Sequence, residues 1–518
     1  MASTLTPPPA SETHRSKRFA MNVAWNWIGV GVSIIGGLVL SPYLIHKLGA
    51  EGYGVWALCF SLVESYWFLD LGFRSATVKF VAHYWAREEY DKVSEVVNTG
   101  ITYAGATAAL MFLVVSFGAR YVDRFFQISP TYRHSFFVLV MLVSFTWCIN
   151  VVFSLYGACL EALQRFDLYN RIVIITTTLR VPGTLLLLYL GYGLIPIGIL
   201  VVCSQLLSYA LHFYYFRQVF PGYRLSYRGG KLSMFKQMGR YGMHNFLGNL
   251  SIQWLNQGPP MLIGHYHPAA FAGYFQMPVR LLQYSGEAIG RIGSITNANA
   301  AELTAKGETG ALAKLAVYSN RYCVAMFMPL AILLFSHGTA FFELWIPKAA
   351  AYCAPLLPIL LSAYLIAIVG QYSSSMLLMG LARYQWYSRG LLVEAIFSLV
   401  ALILVVPKYG IIGAAWVSAG AMIVNRGLFL PWLVSRVMKF GYGWFMQSIY
   451  LRPLLAALPV YAIAMLLRGS ILPGKTWFQF LTVGAVIGVS YYAMAFLFCL
   501  QNDHKILLRS WVTRKVFA

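Results

Sequence analysis

PYLIHKLGAEGYGVWALCFSLVESYWFLDLGFRSATVKFVAHYWAREEYDK, residues 42–92, holds the end of one apolar span, a glycine-rich turn, a second apolar span and a polar segment. The second span carries Glu64, Asp70 and Arg74 among large apolar side chains. A charge at bilayer depth costs roughly 2.5–3.5 kcal/mol on insertion scales, so each needs a partner or a polar cavity. The reading that follows from this stretch is a bundle of membrane helices closed around charges.

The rest of the chain agrees. Of 518 residues, 59% are hydrophobic and 11% charged. Apolar runs of about 20 residues recur from end to end, the length that crosses a hydrocarbon core. The spacing predicts an all-α polytopic membrane protein of about 14 transmembrane helices, beginning at 20–45 and 53–78 and ending at 477–500. The net charge of +22 raises nucleic acid as a partner, but the basic residues fall in alternate loops rather than one patch. With residues 1–19 taken as a disordered cytoplasmic tail, 25 Lys and Arg lie on the inner side and 8 on the outer, which puts both termini in the cytoplasm. Seven cysteines lie in or beside apolar spans without metal-ligand spacing, and no metal or cofactor is expected. Connections are too short for an extramembrane catalytic domain.

An internal repeat organises the chain. Arg165-Phe166, Tyr169 and Arg171 reappear 218 residues later as Arg383-Tyr384, Tyr387 and Arg389. The same offset carries Pro42, Leu44 and Ile45 onto Pro260, Leu262 and Ile263; at 217, Asp70 and Arg74 fall on Glu287 and Arg291. A constant offset over so long a stretch implies duplication. An even number of spans separates equivalent points, so the two copies run parallel. The expected organisation is an N-lobe at 20–220, a basic cytoplasmic linker at 221–237 and a C-lobe at 238–440. Two additional spans at 441–500 and a basic cytoplasmic tail at 501–518 follow.

The chemistry-bearing residues lie inside the spans. Arg180 follows three threonines near the middle of the fifth span, and Arg280 lies near the middle of the eighth. Neither has an acidic residue one helical turn away in sequence. Arg280, Tyr284, Glu287 and Arg291 share one helix face, and Asn245, Asn249, Gln253 and Asn256 form a polar stripe on the seventh span. One reading of Asp70/Arg74 and Glu287/Arg291 is an internal i,i+4 ion pair. The other takes Arg74, Arg180, Arg280 and Arg291, with Asn245, Asn249 and Gln253, as a site for an anion whose phosphate oxygens match the guanidinium fork. Glu64, Asp70 and Glu287 are then counter-charges, or sites where a coupling H+ or Na+ binds. His265 and His267 read as loop histidines.

Leu48-Gly49-Ala50-Glu51-Gly52-Tyr53-Gly54-Val55-Trp56, with Leu69-Asp70-Leu71-Gly72-Phe73-Arg74 and Val78-Lys79-Phe80-Val81-Ala82, resembles the polysaccharide-biosynthesis flippases of the multidrug/oligosaccharidyl-lipid/polysaccharide exporter group. The resemblance implies two parallel six-helix lobes plus two C-terminal helices, working by alternating access. It implies translocation of an anionic, polyprenyl-pyrophosphate-linked oligosaccharide across the bacterial cytoplasmic (inner) membrane, for O-antigen or exopolysaccharide synthesis. Membrane lipids, a polysaccharide polymerase and glycosyltransferases are the implied partners, and Arg74 is the arginine at a motif position. A cation-coupled multidrug exporter of the same group favours an acidic cavity, against the excess of buried arginine. An integral-membrane glycosyltransferase or polymerase calls for a large outer loop bearing acids, which the sequence lacks.

Overall fold

The computed structural model describes residues 12–65, 72–226, 231–470 and 472–500, and among them every regular element is a helix. Contacts divide the chain into two units, Met1–Leu250 and Ser251–Ala518. The first holds α1 (Glu12–Ser65), α2 (Phe73–Trp85), α3 (Tyr90–Phe125), α4 (Pro130–Ala162), α5 (Phe166–Tyr189), α6 (Leu194–Val219) and the start of α7 (Leu232–Tyr266). The second holds the rest of α7, α8 (Ala269–Lys306), α9 (Thr309–Trp345), the short α10 (Ala350–Cys353), α11 (Leu356–Ile368) and α12 (Ser375–Gly380). After these come α13 (Tyr384–Met422), α14 (Leu430–Val437), α15 (Tyr442–Ser470) and α16 (Trp477–Phe498).

Nine described helices are long and apolar enough to cross a membrane, and the longest, Tyr384–Val437, contains two of the spans read from sequence. Helices α7 and α8 lie outside that set because polar side chains stripe them, among them Asn249, Gln253, Asn256, Gln276 and Gln283. Exposed apolar side chains mark faces turned to lipid. On α13 these are Val393, Ile396, Phe397, Val400 and Leu404, spaced as one helix face.

The decisive stretch folds differently from a pair of plain spans. Gly49 (φ 76°) kinks α1 so that the first turn is a single glycine hinge rather than a loop. The second span, expected as one helix over 53–78, is not continuous. Gly72, just before α2, has a left-handed backbone (φ 75°) that cannot continue a helix; residues 66–71 lie outside the described residues.

The repeat is visible in hydrogen bonds. Gln164 and Ala382, 218 residues apart, are both non-glycine residues in the left-handed region, each with φ 55°. In each copy the next amide closes the preceding helix: Arg165 N donates to Leu160 O (2.9 Å) and Arg383 N to Leu378 O (2.8 Å). Arg165 then precedes α5 and Arg383 precedes α13. An L-residue in this conformation costs roughly 1–2 kcal/mol, and both copies tolerate it at the same place.

The segment after α6 is held down. Tyr223 is wholly buried and donates its hydroxyl to Asn98 Oδ1 on α3 (2.9 Å). The Ser226 amide donates to the same oxygen (3.2 Å), and Asn98 Nδ2 donates to Arg224 O (3.1 Å). Arg217 donates to the Tyr223 carbonyl. Burial among Tyr156, Phe216 and Phe220 pushes the Tyr223 phenol above its ordinary range. Beyond it, Lys231 N donates to Thr99 Oγ1 and its Nζ pairs with Glu95 (2.8 Å). Phe235 stacks on Phe73 and Tyr103. The first turns of α7 therefore pack with the first unit, and the division falls within that helix, later than residue 238.

Candidate functional site

A buried ion pair and a small cavity lie in the second unit, close to two π turns. Val369–Ser374 links α11 to α12, and Ile423–Phe429 links α13 to α14. A π turn carries an extra residue, which shifts the hydrogen-bond register and re-aims the side chains beyond it. The two segments approach backbone to backbone. A Cβ on Gly370 would lie 1.8 Å from the Arg426 carbonyl oxygen, and one on Gly427 would lie 2.7 Å from Ile366 Cγ2. Only glycine fits such an approach. Tyr450 of α15 donates its hydroxyl to Ile366 O (2.7 Å), at the entrance to the first π turn.

The second π turn presents Asn425 and Arg426 to Glu394 on α13. Asn425 Nδ2 donates to Glu394 Oε2 at 2.7 Å, and Arg426 Nε donates to the same oxygen at 3.1 Å. The Glu394 side chain is 1% exposed and that of Arg426 11%. Glu394 thus faces inward while its neighbour Val393 faces lipid. Beside the pair is a cavity of about 60 Å³, room for a few waters, to which Asn256, Gln283, Ser398 and Ser418 also contribute. The Ser418 hydroxyl has no hydrogen-bond partner among the described residues. Because the guanidinium already matches the carboxylate, the cavity is neutral and hydrogen-bonding. Such a lining suits water or hydroxyl groups better than a bare cation.

In the first unit, left-handed Gly72 sets the start of α2 and so the direction of Arg74 in its first turn. Arg74 Nη2 donates to Glu161 Oε2 at 2.7 Å, on the last turn of α4. The partner comes from another helix. Asp70, the i,i+4 partner read from sequence, lies outside the described residues. Arg165 makes a second pair, gripping Asp167 with two bonds of 2.9 Å.

The other expected site residues distribute as follows. Arg180 is half-buried in the middle of α5, and its carbonyl accepts from Thr184 Oγ1. Glu64 is half-buried one residue before the end of α1, and Asn249 half-buried on α7, both in the first unit. Gln253 and Arg280 are half-buried in the second unit. The side chains of Asn245, Glu287 and Arg291 lie outside the described residues. Of the polar stripe on α7, Asn256 reaches the cavity. His267, read as a loop histidine, bonds through Nε2 to Val406 O (2.8 Å), four residues before the Gly410 kink of α13.

Sequence reasoning missed Glu394 and Glu161. Glu394 is a lone acid in an apolar run and Glu161 ends one, with Arg165 a turn further on; the partner each uses lies far along the chain, 32 residues for Glu394 and 87 for Glu161. The available signal was the charge itself, since a carboxylate inside a span predicts a buried cation.

The polysaccharide biosynthesis protein family matches residues 19–293. Among curated proteins, the uncharacterized membrane protein EpsK of Bacillus subtilis is 21% identical over 516 residues, covering 95% of this chain and 98% of its own. Among solved structures, the lipid II flippase MurJ in an inward closed conformation superposes with a TM-score of 0.69 at 12% identity, over 92% of this chain and 98% of its own. An inward-facing multidrug resistance MATE family transporter of the MOP superfamily gives 0.63 at 13% identity, over 79% of this chain and 95% of its own. At these identities the likenesses speak for the fold.

Proposed function

The chain belongs to the polysaccharide biosynthesis protein family, and on that premise we propose that it is a flippase for an anionic, polyprenyl-pyrophosphate-linked oligosaccharide. The substrate passes from the inner to the outer leaflet of a bacterial inner membrane by alternating access, with both termini cytoplasmic. Glycosyltransferases supply it and a polysaccharide polymerase consumes it. The observation that carries the reading is the placement of Arg180 and Arg280, half-buried within long helices, one in each unit. A guanidinium at such depth is costly facing lipid, whereas in a polar path its fork replaces the water that a pyrophosphate loses. Arg74 and Arg291, with Asn245, Asn249 and Gln253, complete the proposed path. Coupling to H+ or Na+ is assigned to Glu64, Asp70 and Glu287; Glu394, matched by Arg426, has no net charge to offer.

A multidrug exporter is the second reading, and the fold likeness to a MATE transporter favours it. Its cationic substrates call for uncompensated carboxylates. The buried Glu394, already paired, does not supply one.

Proteoliposomes carrying a fluorescent lipid-linked oligosaccharide test the proposal. The wild type should move it between leaflets without altering its glycan. Arg180→Ala or Arg280→Ala should slow transfer at least about tenfold, a single lost charge-assisted contact. Arg280→Lys, which keeps the charge and loses the fork, should fall between. Normal rates in both alanine variants refute the arginine path.

A further inference from the structure

Arg321 is an arginine that the proposed path does not use. It lies on α9 with 5% of its surface exposed, where α9 packs against α15 and α16. Its Nε donates to Ser448 O on α15 (2.8 Å), and its guanidinium carbon lies 5.2 Å from the Tyr318 ring centroid. Nη1 is buried and has no acceptor among the described residues. No carboxylate pairs with it there either. A second cation stands beside it: Arg452 lies four residues, one helical turn, beyond Ser448 on α15. Arg452 is exposed, on a face that also exposes Leu451, Leu454 and Leu455. Cys499 closes α16, which packs against both α9 and α15.

The depth of this cluster follows from helix lengths. The 22 residues of α16 span about 33 Å, close to the ~30 Å hydrocarbon core, so Cys499 marks one boundary of the apolar slab. Ser448 lies near the start of α15 at the same end. The cluster is therefore at headgroup level. A buried donor without acceptor among the described residues and two like charges both call for one thing, an anion.

We propose that this α9–α15–α16 junction binds a phosphate anion at the membrane interface, held by Arg321 from inside and Arg452 from the rim. Arg321 Nη1 and the Arg452 fork supply the donors. The geometry requires a phosphate of net negative charge, which either an anionic phospholipid headgroup or a free phosphate brings; phosphatidylcholine, whose choline cation offsets its phosphate, is the blank. The site is distinct from the proposed transport path and stands whether or not that path is correct.

The test uses the full-length protein in nanodiscs. Thermal unfolding is followed in phosphatidylcholine alone, with added phosphatidylglycerol, and with inorganic phosphate in the phosphatidylcholine discs; lipid retention is read by native mass spectrometry. A rise in the wild-type midpoint with phosphatidylglycerol only identifies a lipid headgroup, and a rise with inorganic phosphate as well identifies a general phosphate site. Arg452→Gln, at an exposed position, should weaken the response about tenfold without altering the midpoint in phosphatidylcholine. Arg321→Gln should abolish it. The proposal is overturned if wild type and both variants respond alike, or if neither additive shifts the wild type. It is also overturned if a response appears only in Asp503→Asn, for then a carboxylate of the chain itself is the anion the arginines take.

Discussion

Replacing Glu394 by Gln leaves its shape in place and removes its charge. The carboxylate is 1% exposed and accepts from both Asn425 and Arg426, whose own side chain is 11% exposed. The glutamine keeps one carbonyl acceptor, so a hydrogen bond survives, but a buried guanidinium is left uncompensated. Breaking a buried pair from one side costs about 3–5 kcal/mol, and the value here belongs near the lower end because one acceptor remains. Arg426→Met strands the opposite charge and should cost a similar ~3–5 kcal/mol. Glu394→Leu with Arg426→Met removes both charges together, and replacing a buried pair by apolar groups is often neutral. The double variant should therefore be far more stable than the sum of the singles, with a coupling of about 3 kcal/mol. Reversible unfolding of the four proteins in mild detergent, followed by tryptophan fluorescence, measures that coupling. Single variants each losing under about 1 kcal/mol, or costs that simply add, would refute the buried pair. If the double variant is stable yet fails to translocate lipid-linked oligosaccharide, the cavity beside the pair has a role in transport beyond holding the fold.

Two further expectations concern close approach and the pinned segment. Gly370→Ala puts a methyl group 1.8 Å from the Arg426 carbonyl, backbone against backbone, so it should destabilise by at least ~3 kcal/mol, the upper end for overpacking; an unchanged midpoint in thermal unfolding contradicts the facing π turns. Asn98→Ala strips three hydrogen bonds from residues 223–226 and should raise amide exchange there more than Tyr223→Phe, which strips one at about 1 kcal/mol; equal exchange in both contradicts the clamp. Because burial raises the Tyr223 pKa, the neutral phenol stabilises the fold fully below pH ~10 and that contribution falls as pH rises further. Exchange at 219–226 should therefore increase above that pH in the wild type and less in Tyr223→Phe.

The repeat at offset 218 was legible in residue identities alone and recurs in the structure as paired left-handed residues, Gln164 and Ala382, closing equivalent helices. Helices were legible because a lipid-facing stripe such as Val393 to Leu404 repeats with the helical period. Arg74 announced itself as a charge in a span and needed a partner, and nothing local named Glu161. Helix period and hydropathy are properties of consecutive residues, so the chain by itself determined the helical membrane class and the repeat, and raised Arg180 and Arg280 as candidates. The break at Gly72, the π turns before Ser375 and Leu430 and the pairing of Glu394 with Arg426 depend on which helices touch. Such contacts join residues far apart in the chain, 87 positions for Arg74 and Glu161 and 139 for His267 and Val406, and the approach of one backbone to another at Gly370 is set by packing, which tertiary structure alone decides.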